Sequence, residues 1–306
     1  MKKLLIAVLL GLTLLTGCTK SFKDESSKKT YTANILCSPT KQETLDIYEK
    51  NKEQTHVDVS KLPKCTNYKI NSGGYDGLWS TIFIKPLAWL IIKLGQLVGN
   101  YGVSIMIIGL LLRVVMIPLT NKSTKMSEGM NKAKPELDKL ERKYRGREDK
   151  DSMMMKSQEM MAIYKKFDIS PMSGCLFSFI QLPLFFAFLE AVNRIPVFFE
   201  ENLFMFQLGT TPWEGLSAGN YWYMIIVALI ILTTFFSFKN MNMGVMDPAQ
   251  AKQMKFMNIF MIVFISIASF GLPTAIALYW IVSSGFTVVM NLIMSAKRNK
   301  NKLVRK

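Results

Sequence analysis

Gly102–Thr120 reads GVSIMIIGLLLRVVMIPLT, an apolar run long enough to span a bilayer, with one full charge inside it, Arg113. An arginine in a hydrocarbon span costs about 2.5–3.5 kcal/mol on insertion scales, so it faces a protein interior or a wet cavity. The rest of the chain reads as the set of helices that makes this position tolerable.

Outward from that stretch, apolar residues fall in blocks and charges lie between them. The chain is 50% hydrophobic and 20% charged, and its 38 Lys+Arg against 22 Asp+Glu leave a net charge of +16. Basic loops held on the cytoplasmic side of a membrane explain such an excess, so it does not call for DNA or any other nucleic acid. No internal repeat of the kind many transporters carry is visible.

Five apolar runs suit spans: 101–120, 172–194, 222–238, 257–271 and 274–294, the last two joined by Gly271-Leu272-Pro273. The connection 121–167 carries 13 basic and 8 acidic residues, 239–256 three lysines and one aspartate, and 297–306 six basic residues. Residues 195–221 carry only Glu200, Glu201 and Glu214. This alternation places the N-terminus outside and the C-terminus in the cytoplasm.

The N-terminus agrees. Two lysines, an apolar core Leu4–Leu15 and Leu15-Thr16-Gly17-Cys18 make a secretory signal over 1–17, and the tetrapeptide is similar to a bacterial lipobox with Cys18 lipidated. Residues 18–77 then form an anchored extracellular segment with 10 basic and 8 acidic side chains in 19–77. Within it Cys37 and Cys65 either pair as a disulfide or remain thiols in a loose tether. His56 has no metal-ligand spacing around it and reads as exposed; Cys175 lies in a span and reads as packing. Residues 78–98 mix Trp79, Phe83 and Trp89 with Lys85, Lys93 and an interrupting Pro86, which suits a helix in the outer interface better than a span.

Depth brings the polar residues together. At 1.5 Å per residue Arg113 lies roughly 10 Å above the cytoplasmic interface. Gln181 lies roughly 14 Å up, Thr233 and Thr234 roughly 6–8 Å, and Thr287, Ser284 and Ser283 roughly 10–16 Å. Glu190 lies roughly 27 Å up, so straight helices do not bring it to Arg113. A cavity open to the cytoplasm fits better than a buried ion pair.

Residues 121–167 read as two helices, the first with Pro135 in its first turn, joined near Gly146. Met153, Met154, Met155, Met160, Met161 and Tyr164 on the second either receive varied apolar segments or pack the hairpin on itself or on lipid. The tail 297–306 satisfies the topology rule, with contact to ribosomal RNA as an addition.

These residues together resemble the YidC-type membrane protein insertases, in their Gram-positive lipoprotein form. The matches are Trp79; Arg113 with Ile117-Pro118-Leu119-Thr120; Pro135-Glu136-Leu137; Tyr164-Lys165-Lys166; Ser170-Pro171-Met172-Ser173-Gly174-Cys175; Gln181-Leu182-Pro183-Leu184-Phe185; and Leu278-Tyr279-Trp280-Ile281-Val282-Ser283. They run in order through about residues 78–296, and residues 19–77 lie outside the resemblance. It implies an all-α polytopic fold of five transmembrane helices over 99–296, with a cytoplasmic hairpin and an N-terminal interfacial helix. It also implies a groove at Arg113 that receives nascent membrane proteins without ATP hydrolysis, with Tyr279 and Trp280 against the substrate helix. Implied partners are the Sec translocon, ribosomes and the lipid bilayer, and no cofactor. Gln181 joins the groove on depth. A small-solute transporter or channel using the same notch is the competing class. An enzyme is disfavoured, because the chain has no Gly-x-Ser-x-Gly, no His-Glu-x-x-His and no paired intramembrane aspartate.

Overall fold

The computed structural model describes residues 19–25, 29–55, 57–147, 149–169, 173–239 and 248–304; side chains at 119–128, 131, 173–182, 248–254 and 297–304 lie outside that set. The signal region with Cys18, and His56, are therefore outside the described residues, as is the Cys175 side chain.

The chain divides into two compact units, 1–111 with 182–230 and 267–283, and 112–181 with 231–266 and 284–306. The first begins with the N-terminal segment, residues 19–76. β1 (Ser21–Lys23) pairs antiparallel with β2 (Thr30–Thr32), and α1 (Gln42–Lys50) packs on them. Its core is Phe22, Tyr31, Ala33, Ile35 and Tyr48, with Phe22 edge-on to Tyr48 at 5.4 Å. The Tyr48 hydroxyl donates to Thr32 O at 2.7 Å, which satisfies it in a site that pushes its pKa well up by burial. Cys37 and Cys65 are joined by a disulfide, Cα atoms 4.9 Å apart. The segment is thus a small folded body rather than a tether.

Next comes α2 (Gly77–Val98), long and apolar enough to cross a membrane. Pro86 does not interrupt it. A π-helical turn at Ser80–Ile84 lies just upstream, where the missing proline N–H and its ring disturb the ladder. α3 (Tyr101–Val115) follows, with Ser104 Oγ donating to Ile91 O at 2.8 Å across the corner.

The expected span 101–120 is not one helix. It breaks at Met116, and α4 (Ile117–Tyr144) starts with Pro118 in its first turn. Pro118 lacks the N–H the helix needs and crowds the carbonyl of Val114, which accounts for the break. Pro135, expected in a first turn, lies inside this 28-residue helix. α5 (Lys150–Lys166) is capped by Asp149, whose carboxylate accepts from Ser152 N at 2.8 Å. α4 and α5 pack antiparallel: Lys143 reaches Glu159 at 2.5 Å near Gly146, and Lys166 reaches Glu136 at 2.6 Å at the far end. Met130, Ala133, Tyr164 and Ile169 fill the seam, with Met160 against them. Met153, Met154, Met155 and Met161 stay exposed. Met160 thus packs the hairpin, and the other four leave an apolar face open.

The remaining helices are α6 (Ser173–Asn193), α7 (Val197–Glu200), α8 (Pro212–Ser217), α9 (Tyr223–Lys239), α10 (Pro248–Ala268) and α11 (Thr274–Val304). A two-strand hairpin, β3 (Asn202–Leu203) and β4 (Phe206–Gln207), follows α7. Of the expected spans, Thr274–Ala296 passes the length test for a bilayer; Tyr101–Val115, Pro183–Asn193, Tyr223–Lys239 and Lys255–Ala268 are shorter apolar helices. α11 also runs on through the basic tail to Val304.

Candidate functional site

Arg113 lies in the last turn of α3, half-buried, just ahead of the break that Pro118 imposes. The unit that holds it also holds Thr233 and Thr234 of α9 and Ser284 and Thr287 of α11. Thr234 and Ser284 are buried, Thr233 and Thr287 half-buried. Arg113, Thr233, Thr234 and Thr287 each take part in polar or electrostatic contacts. Gln181 belongs to the same unit, but its side chain lies outside the described residues. Five of the nine predicted groove residues thus have described side chains in one compact unit, on three helices.

Tyr279, Trp280 and Ser283 fall in the other unit. Tyr279 is only 3% exposed. It stacks on Phe188 at 4.1 Å, and a Cβ placed at Gly109 would stand 3.1 Å from its ring. Glycine is what lets α3 approach so closely. Tyr279 therefore packs in the helix contact between α3, α6 and α11. Trp280 is half-exposed and meets Phe185 edge-on at 5.4 Å.

A polar cluster at the C-terminal end of α6 escaped the sequence reading. Arg194 is 6% exposed. Its Nη2 lies 2.6 Å from Asp76 Oδ2, its Nη1 donates to Ser80 Oγ at 3.0 Å, and its Nε donates to Asn34 O at 2.8 Å. Glu190, expected only as a misplaced partner for Arg113, sits 3.6 Å from Arg194 Nη1 and accepts from Trp79 Nε1 at 3.2 Å. Burial works to raise the Asp76 carboxyl, but the hydrogen bond and charge of Arg194 outweigh it and hold it below the usual carboxylate range. The Glu190–Arg194 spacing of i, i+4 was a readable signal; Asp76 and Asn34 gave none.

A second clasp lies beside it. The Glu200 carboxylate accepts from Thr40 N at 2.9 Å, from Lys41 N at 2.8 Å and from the Thr40 hydroxyl. Leu36 N donates to Arg194 O at 2.9 Å. Together the clasps bind the N-terminal segment to the loop after α6. Among the described residues no group of three His, Cys, Asp or Glu side chains is placed to hold a metal ion.

The family model for the 60 kDa inner membrane protein matches residues 93–302. The membrane protein insertase YidC of Alkalihalophilus pseudofirmus is 34% identical over 218 residues, covering 70% of this chain and 81% of its own. The membrane protein insertase YidC of Oceanobacillus iheyensis is 30% identical over 228 residues, covering 72% of this chain and 84% of its own. Among solved structures, an active YidC insertase with its first transmembrane domain resolved superposes with a TM-score of 0.51 at 22% identity, over 74% of this chain and 48% of that one.

Proposed function

The chain belongs to the 60 kDa inner membrane protein family, that of the YidC membrane protein insertases, and from this we infer that it moves nascent membrane proteins into the bilayer through a groove centred on Arg113. The observation that carries the reading is the half-buried charge of Arg113, in an apolar helix that ends two residues later. A cation partway into the membrane holds water there and shortens the apolar barrier that a polar segment must cross. It also attracts the acidic or polar outer end of a substrate. The apolar part of the substrate then gains by entering lipid, so no chemical energy source is needed.

Thr233, Thr234, Ser283, Ser284, Thr287 and Gln181 supply hydrogen-bonding walls. Trp280 offers a half-exposed aromatic edge to the incoming helix, held in place by its neighbour Tyr279. Five spans carry the groove: α3 with the start of α4, then α6, α9, α10 and α11. The α4–α5 hairpin lies in the cytoplasm, and its exposed methionines meet apolar segments first.

Cys18 carries the lipid anchor outside, and α2 lies in the outer interface. Residues of the outer segment support this placement of α2. Gln96 donates to Thr66 O at 3.1 Å near one end, and Lys85 donates to Ser72 O at 2.8 Å near the middle. The stretch of helix from Lys85 to Gln96, about 16 Å, thus runs beside one polar segment, which fits a helix lying along the surface. The Sec translocon is a partner for larger substrates, and the basic end of α11 contacts the ribosome. A transporter reading has no support among the relatives.

The test is insertion of a short single-span substrate into vesicles that hold the purified protein and nothing else. Loss of insertion on Arg113→Ala is the expected result.

A further inference from the structure

A cleft of about 650 Å³ opens between α2 and the turn that follows the disulfide, lined by Thr66, Asn67, Tyr68, Lys69, Trp89 and Lys93. Two lining residues are lysines and none is a carboxylate. Among the described residues neither lysine forms a salt bridge. Lys93 Nζ instead reaches the neutral amide of Gln96, Oε1 at 3.4 Å.

The walls are built rather than draped. Cys65, bonded to Cys37, anchors the turn; Gln96 Nε2 holds Thr66 O at 3.1 Å; Tyr68 is fully buried. On α2, Lys93 stands three residues after Leu90 and four before Leu97, with Leu90 37% and Leu97 82% exposed. Its ammonium therefore rises from an exposed apolar stripe, with Trp89 one turn away on the same side. Lys69 approaches from the polar outer segment. A cleft that is cationic at the top, aromatic at the side and continuous with exposed leucines suits an anion with an apolar body.

We propose that this cleft binds a phosphate ester, and that its source is the headgroup of an anionic phospholipid in the outer leaflet. Lys69 and Lys93 balance the phosphate charge, Thr66 and Asn67 donate to headgroup oxygens, Trp89 packs at glycerol depth, and the acyl chains run along Leu90 and Leu97. The proposal rests on the reading of α2 as an interfacial helix. It gives the outer segment a use, since that segment supplies half of the cleft.

The experiment titrates full-length protein in neutral detergent with short-chain phosphatidylglycerol, phosphatidylcholine of the same chains, or glycerol 3-phosphate, and counts bound ligand by native mass spectrometry. The variants are Lys69→Gln with Lys93→Gln, and a control pair on the same segment, Lys52→Gln with Lys61→Gln. Each lysine near an anionic lipid contributes about 1 kcal/mol, so the first pair should weaken phosphatidylglycerol binding about thirtyfold. The control pair and the phosphatidylcholine affinity should not change. Wild-type affinity in the first pair, or an equal loss in the control pair, overturns the site. Displacement of phosphatidylglycerol by equimolar glycerol 3-phosphate overturns the lipid source. Insertion is scored on the same preparations in neutral vesicles, so a failed insertase reading shows itself separately.

Discussion

Arg194 and Asp76, 118 residues apart in the chain, meet at 2.6 Å and tie the entry to α2 onto the C-terminal end of α6. The arginine side chain is 7% exposed and the aspartate 47%, so the pair sits at the edge of solvent with its cation inside. Glu190 and Ser80 complete the cation's surroundings.

Removing that cation is more damaging than removing the anion. Arg194→Ala strands Glu190, whose side chain is 11% exposed, and breaking a buried pair in this way costs about 3–5 kcal/mol before discounting for the wetter Asp76 edge. Asp76→Asn keeps a hydrogen-bond acceptor and costs less. The pair also carries a pH dependence of definite sign. Asp76 titrates lower in the folded protein than in the unfolded chain, so its contribution is present above the ordinary carboxylate range, about pH 3.9, and is lost as pH falls through the lower folded value. Hydrogen exchange over residues 29–76 should show acid loosening in the wild type, and a smaller acid dependence in Asp76→Asn.

The aromatic neighbours on α11 should separate by phenotype. Tyr279→Ala removes a buried ring from Phe188 and Gly109, at about 3–5 kcal/mol, and should lower thermal stability in detergent. Trp280→Ala should leave the melting temperature close to wild type and slow insertion. Equal melting temperatures for the two variants would contradict the division.

The disulfide bears on the N-terminal segment. Replacing Cys37 and Cys65 by serine opens a loop with a sequence separation of 28 and should cost about 2–4 kcal/mol. Limited proteolysis should then cut within residues 29–76 while the helices remain intact, and insertion of a single-span substrate should persist.

These effects mark where sequence reading succeeds and where it stops. The apolar runs are legible because hydropathy over some twenty residues survives without knowledge of neighbours, and Arg113 stands out for the same reason. The break at Met116 was also within reach, since Pro118 is in plain view; reading hydropathy alone joined two helices into one span. Pro135 misled in the opposite direction, because a proline inside a long helix looks like a proline that starts one. The N-terminal segment's core rests on strands of three residues, Ser21–Lys23 and Thr30–Thr32, too short to leave a period. Arg194 was half legible: Glu190 stands one helical turn before it, at i, i+4, but its partners Asp76 and Asn34 come from far upstream. Tyr279 and Trp280 read alike in sequence, and only packing against Gly109 and Phe188 distinguishes them.

The central claim is that Arg113 works as a charge in a wet notch, and the most direct measurement is insertion of a short single-span substrate by purified protein in vesicles, wild type against Arg113→Lys and Arg113→Ala. Both variants should remain folded by melting temperature. Lysine preserves the cation and should retain much of the activity, whereas alanine should lose it. Equal insertion by all three would contradict the account.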